Sequence, residues 1–330
     1  MRLTVFSAKS YDRMMLDDLC HTHGHAVTFV ESRLDATTVR LAEGSAAVCL
    51  FVNDHADEAI LGQLAAGGVR GIALRCAGYN QIDLQAAQRL GIRVARVPAY
   101  APHAIAEHAV GLMLMLNRHL HRAYNRIREG NFALSGLLGF NLAGKTVAII
   151  GTGAIGAVTA RIMQGFGCIV LAHDLQPNPA LESTGISYVP LATALATADI
   201  ITLHLPLNAS TTHLINRASI TTIKRGAMLI NTSRGGLIDT EVAIEAVKEG
   251  RLGALGLDVY EYESPLFFED HSNTPITDDL FSRLLTFPNV VITGHQAFFT
   301  REALTEIGET TVANLDAFAQ NLPCSNEVTA

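Results

Sequence analysis

Short runs of aliphatic and β-branched residues recur along the chain, each ended by Gly, Pro, Asn, Asp or His, with longer stretches between them that repeat apolar positions every three or four residues. Runs without internal polar alternation suit strands buried on both faces, and the 3.6-residue period between them suits amphipathic helices. Five runs lie before residue 100, at 3–6, 26–30, 47–52, 71–74 and 94–97. Six more follow, at 146–150, 168–172, 200–203, 228–231, 254–259 and 290–293. This alternation predicts an α/β chain with two doubly wound parallel sheets. Between the two sets, a long helix starting at Tyr100-Ala101-Pro102 carries apolar residues at 105, 109, 112, 113, 116 and 120, enough to lead into a second domain and to face a partner subunit. A last helix, 303–321, is expected to fold back onto the first domain. The expected division is therefore 1–99 completed by 299–330, against 100–298.

The stretch 145–174, KTVAIIGTGAIGAVTARIMQGFGCIVLAHD, has the order strand, glycine turn, helix, strand. Its GxGxxG follows the strand directly. Gly151 allows the tight turn, Gly153 lets backbone approach a pyrophosphate, and Gly156 lets the helix sit on the sheet. Phosphates would lie at the helix N-terminus. Asp174 ends the next strand at the spacing from Gly151 where an acid meets the adenosine ribose, and Leu175-Gln176-Pro177 offer no arginine for a 2′-phosphate, so NAD is expected rather than NADP. The second domain is thus expected to be a Rossmann-type cofactor domain, and the first a smaller open parallel α/β unit.

Composition narrows the partners. With 330 residues and 49% apolar content the chain can fill two cores, and its net charge of −7 has no basic block, which argues against nucleic acid or anionic membrane. The first apolar stretch is too short for a secretory signal, and no uncharged apolar run reaches the ~18 residues of a membrane helix. Five scattered cysteines without a CxxC read as buried reduced thiols in a cytoplasmic protein.

Open α/β sheets bind ligands beyond the carboxyl ends of their strands, so the polar residues after apolar runs carry the chemistry. MLINTSRG places Arg234 there, GLDVYEYE places Asp258 with Glu261 and Glu263 just beyond it, and VITGHQAFF places His295. An arginine fork can pair with a 2-oxo acid's carboxylate, a histidine can protonate the carbonyl oxygen as hydride arrives, and a glutamate on the other ring nitrogen can hold the tautomer. Singly, each has a plainer reading: a helix-capping arginine, a solvated loop acid, a satisfied buried histidine. Together, on a sheet with a dinucleotide motif, they favour function.

At these residues the chain resembles the D-isomer-specific 2-hydroxy acid dehydrogenases, and among them the fermentative NAD-dependent D-lactate dehydrogenases very closely. The likeness runs through ALRCAGYNQIDL (73–84), RVPAYAPHAIAEHAVGLML (96–114), LHLPL (203–207), INTSRGGLID (230–239), GLDVYE (256–261) and GHQAFFTREAL (294–304). It implies that the first unit is a flavodoxin-like substrate domain, and it implies catalytic roles for Arg234, Glu263 and His295. It also implies substrate-carboxylate amides at Ala77 and Gly78, and a tyrosine reaching the cleft at Tyr100. Cofactor contacts fall on Gly151, Gly153, Ala154, Ile155, Gly156, Asp174, Leu205, Pro206, Thr211, Thr232, Ser233 and Asp258. Phe51, Tyr100 and Phe298 align with walls on the substrate's methyl side, which leaves room for pyruvate and little more. The implied activity is NADH-dependent reduction of pyruvate to D-lactate in a homodimer or homotetramer. The alternatives are a reductase of larger 2-oxo acids, such as phenylpyruvate or 2-oxoisocaproate, and a non-catalytic NADH-sensing protein.

Three weaker signals are read as structural. His21, His23 and His25 alternate without an acid or cysteine beside them, so no metal is expected. His103, Glu107 and His108 match no zinc-hydrolase spacing and are expected to line the cleft or the subunit contact. The acidic stretch 269–279 is expected to be a solvated flap.

Overall fold

The computed structural model describes residues 1–330 as two compact units, Met1–Ala101 with Phe299–Ala330, and Pro102–Phe298. In the first, strands β1 (Arg2–Val5), β2 (Ala26–Phe29), β3 (Ala47–Leu50), β4 (Gly71–Leu74) and β5 (Arg93–Ala95) form one parallel sheet in the order β2-β1-β3-β4-β5. This is the flavodoxin-like order. Helices α1 (Ser10–Thr22), α2 (Glu58–Ala66) and α3 (Leu84–Arg89) wind it, and β3 and β4 are buried along their whole length, as their unbroken apolar sequences require. The helix Arg301–Ala319 packs on β4 and α1. Gly71 makes that packing possible, because a Cβ there would press on the Phe318 ring.

In the second unit, α4 (Pro102–Asn117) and α5 (Leu120–Arg128) precede seven parallel strands: β6 (Thr146–Ile150), β7 (Ile169–His173), β8 (Ser187–Tyr188), β9 (Ile200–Leu203), β10 (Ala227–Asn231), β11 (Leu252–Leu257) and β12 (Val290–Ile292). Their order is β12-β11-β10-β9-β6-β7-β8, with α6 (Ala154–Gly165) following β6. The order reverses between β6 and β9, the switch point at which such sheets open a ligand crevice.

Two elements differ from the sequence-based expectation. The long helix ends at Asn117, whose side chain pairs with both backbone groups of Phe140 (Nδ2 to O, 2.8 Å; N to Oδ1, 2.9 Å), and His119 adopts φ +50 before α5 begins. Moreover, α4 spends its apolar face inside its own unit: Ala109, Leu112, Met113 and Leu116 are buried in one core with Ile149, Ala160 and Ile230. The 269–279 stretch is only partly a solvated flap, since Asp278 caps the helix Asp279–Leu285 and accepts the Tyr260 hydroxyl at 2.8 Å. His23 and His25 both bind the carboxylate of Asp316, at 2.6 and 2.9 Å. All five cysteines are free; burial pushes the Cys20 thiol up to about 11 and Cys49 to about 12, so neither is reactive near neutral pH.

Candidate active site

Asp57, Asp83, Asp239, Asp278 and Thr300 each accept a first-turn amide of the helix they precede. Helix α6 begins at Gly153 without a side-chain cap, as do α5 and the short helices Leu191–Thr197 and Ser219–Thr222, but α6 alone of these follows the glycine turn. Its first amides are therefore left for a ligand, and the helix dipole favours an anion there. Gly151 (φ +95) passes so close to the His204 carbonyl that a Cβ would overlap it, and a Cβ on Gly156 would overlap the Gly151 oxygen. A Cβ on Gly153 would meet nothing within 4 Å, so the space above it is open. Ala154 and Ile155 form the first turn of α6.

Asp174, just past β7, accepts the Thr152 amide (2.6 Å) and hydroxyl (3.1 Å) on Oδ2 and the Gln176 amide (3.1 Å) on Oδ1. Burial alone would raise its pKa, but these bonds outweigh it and hold the carboxyl below its ordinary range. An acceptor position stays open on Oδ1 for a ribose hydroxyl. Neither Thr152 nor its second partner, the Tyr188 hydroxyl at 2.9 Å, was anticipated from the sequence. Tyr188 lies in the two-residue β8, too short to show a period. The Thr232 hydroxyl is buried without a partner at the end of β10, an orphan that a ligand hydroxyl or amide would satisfy. An uncapped helix, an open glycine, an ionised Asp174 and an orphan hydroxyl together fit NAD.

Other groove positions are already engaged. The Ser233 hydroxyl donates to the Leu203 oxygen at 2.7 Å and ties β10 to β9, while the Thr211 hydroxyl closes its own turn on the Pro206 oxygen, also at 2.7 Å. Leu205 is half-buried and Pro206 exposed in that turn.

Beside these residues His204 has its Nδ1 closed off from solvent without a partner, and Nε2 3.0 Å from Thr202 Oγ1. Burial pushes its pKa down from 6.5 to about 4. Between those values the native state binds fewer protons than the unfolded one. The stability tied to a neutral ring is therefore complete above pH ~6.5 and falls by up to about 1.4 kcal/mol per pH unit as pH drops toward ~4. Urea midpoints should fall between about pH 7.5 and about pH 5, and fall less in His204→Asn; equal losses would show that this ring does not titrate as described.

The reactive groups sit beyond β10, β11 and β12 of the same unit. Arg234 follows β10 in a turn held by the Asn231 side chain, which bonds the Arg234 oxygen (2.9 Å) and the Ser233 amide (3.0 Å). Nη1 donates to the Ser233 oxygen at 2.7 Å, and no carboxylate of the chain pairs with the guanidinium, which leaves its fork for an external anion. Glu263 accepts the Tyr260 amide on Oε2 (2.9 Å) and bonds His295 Nδ1 through Oε1 at 2.7 Å; both side chains are 17% exposed. Since a carboxylate only accepts, Nδ1 carries the hydrogen and Nε2 is the nitrogen free to exchange a proton. Gly235 joins the two halves: its Cα lies so close to the Tyr260–Glu261 backbone that a Cβ would overlap three of its atoms.

Asp258 is fully buried and accepts the Gln296 amide on Oδ1 (2.9 Å) and the Ala297 amide on Oδ2 (2.8 Å), with one acceptor position left on Oδ2. His108, which the sequence reading left between the cleft and the subunit contact, and Thr293, which it did not single out, lie against it. In the first unit, Phe51 follows β3, and Ala77 and Gly78 follow β4. The Ala77 carbonyl is tied to Arg96 at 2.8 Å, and the amides of Ala77 and Gly78 are taken by no acceptor of the chain. Tyr100 belongs to this unit and is half-buried; Phe298, in the second unit, is buried.

An uncapped glycine helix at a switch point, with a guanidinium and a Glu–His pair at the neighbouring strand ends, defines a dinucleotide-dependent oxidoreductase acting on an anionic substrate. Comparison with known proteins makes this specific. Residues 110–297 match the model of the D-isomer specific 2-hydroxyacid dehydrogenase NAD binding domain. The chain is 53% identical to a D-lactate dehydrogenase of Curvularia clavata over 99% of this chain and 94% of that one, and 49% identical to the D-lactate dehydrogenase of Escherichia coli over 99% and 100%. A structure described as the pyruvate reductase of Chlamydomonas reinhardtii superposes with a TM-score of 0.94 at 47% identity, covering 99% of this chain and 98% of that one. The chain belongs to the D-isomer-specific 2-hydroxyacid dehydrogenase family and is an NAD-dependent 2-hydroxyacid dehydrogenase.

Proposed function

We propose that the enzyme reduces pyruvate to D-lactate, with His295 as proton donor. NAD, when bound in its reduced form, supplies the hydride. Arg234 pairs with the substrate carboxylate and polarises the carbonyl. His295 gives the Nε2 proton to the carbonyl oxygen as hydride reaches carbon and takes it back in the reverse direction. Glu263 holds the ring through Nδ1. Asp258 offers its remaining acceptor position to the nicotinamide carboxamide. Phe298 walls the methyl side. The observation that carries this reading is the 2.7 Å His295–Glu263 bond beside an arginine left without an internal carboxylate.

The test is NADH consumption with pyruvate and with phenylpyruvate. Pyruvate should have the higher kcat/KM by about tenfold or more, and D-lactate, not L-lactate, should drive the reverse reaction. Preference for phenylpyruvate would replace the substrate, and turnover of L-lactate would overturn the stereochemistry.

The same reading includes a homo-oligomer in the cytoplasm, where five free thiols stay reduced. Its contact is assigned to α5 and the segment after it rather than to α4. Leu120, Tyr124 and Ile127 line one face of α5, and Phe132, Leu134 and Leu138 are 75–91% exposed. Side chains of this size forgo about 1.5–3 kcal/mol each by staying in water, which association would recover. A monomer in sedimentation equilibrium would exclude this assembly. No helix is long and apolar enough to cross a membrane.

A further inference from the structure

We propose that His108 is a positioning residue for His295, acting through Thr293 and Asp258; this rests on the reading of His295 as proton donor. His295 has φ +54, a left-handed conformation uncommon outside glycine, which histidine adopts more readily than most side chains, and here its neighbours hold it. Asp258 imposes it. Its backbone oxygen accepts the His295 amide at 2.7 Å, and its two carboxylate oxygens accept the amides of Gln296 and Ala297. Three successive amides are thereby closed on one residue.

Asp258 must itself be held in orientation, and two groups outside that loop do this. The Thr293 hydroxyl donates to Oδ1, and since a carboxylate only accepts, the hydroxyl hydrogen is committed there. The Thr293 oxygen can then only accept from His108 Nε2, 3.0 Å away, so His108 carries a hydrogen on Nε2 whether neutral or protonated. The same nitrogen lies 3.4 Å from Oδ1 of this fully buried carboxylate. The hydrogen-bond chain thus runs from α4 to the loop that carries the proton donor, joining residues 185 positions apart in sequence at its first step.

The experiment measures kcat for pyruvate at saturating NADH, per folded enzyme, in His108→Leu, Thr293→Val, the double variant and His108→Gln. NADH dissociation is followed by its fluorescence. The two single variants should each lose about tenfold in kcat, and the double variant no more than either, because both cut one chain. His108→Gln, which keeps an N–H at similar reach, should return to within about threefold of the parent. NADH affinity should change less than kcat in every case. Additive losses in the double variant, glutamine no better than leucine, or unchanged kcat in the singles would overturn the assignment. If His295→Asn retains activity, the proton-donor reading fails first. An inactive His295→Asn beside additive losses at 108 and 293 removes the positioning role alone.

Discussion

Replacing His295 with asparagine should lower kcat for pyruvate reduction by about a thousandfold while NADH affinity stays within about twofold, as expected when a general acid is lost from a formed site. Asparagine is the informative choice because of the backbone. Residue 295 sits at φ +54, and Asn is among the few side chains that tolerate this region, so the loop keeps its shape. Alanine would mix backbone strain with lost chemistry. Asn is also too short and too weakly acidic to protonate a carbonyl oxygen, although it can still meet Glu263. The chain has no tryptophan, so NADH fluorescence reports binding without emission from the protein's own indoles. A kcat within about tenfold of the parent would mean that another group delivers the proton.

What the sequence showed and what it hid follow from the range of the forces involved. Strands buried on both faces, such as β3, β4 and β9, were readable because burial of every residue imposes an unbroken apolar run. The glycines at 151 and 156 were readable because close backbone approach permits no other residue. Arg234, Glu263 and His295 stood out as polar residues directly after such runs, and all three lie in the second unit, two of them sharing one bond. The misses depend on partners distant in sequence. The break after Asn117 depends on Phe140, and the support of Asp174 by Thr152 and Tyr188 exists only once β6, β7 and β8 are side by side. Thr152 had a local signal, as the hydroxyl residue inside GTGAIG. His108 was noticed as a polar residue on an apolar helix, but its partner was not, since nothing local to it shows that Thr293 is opposite.

Gly235→Ala should abolish most activity without touching a reactive atom: kcat/KM for pyruvate is expected to fall by about a hundredfold or more, with a loss of about 2–3 kcal/mol in stability. The added methyl would overlap the Tyr260 carbonyl carbon and oxygen and the Glu261 nitrogen, which are backbone atoms with no rotamer to relieve the overlap. One loop must therefore retreat. Retreat of the first carries Arg234 away; retreat of the second moves the Tyr260 amide that fixes Glu263, and with it the ring of His295. NADH affinity, which the proposed reading places at the groove 151–156 and Asp174, should change by less than about threefold, so the defect appears in the substrate step. Gly62→Ala, inside α2 with open space around the added methyl, is the matched control and should raise stability by up to about 1 kcal/mol. Near-parental kcat/KM in Gly235→Ala would show that the two loops move independently, and that the guanidinium and the imidazole are positioned by something other than this backbone contact.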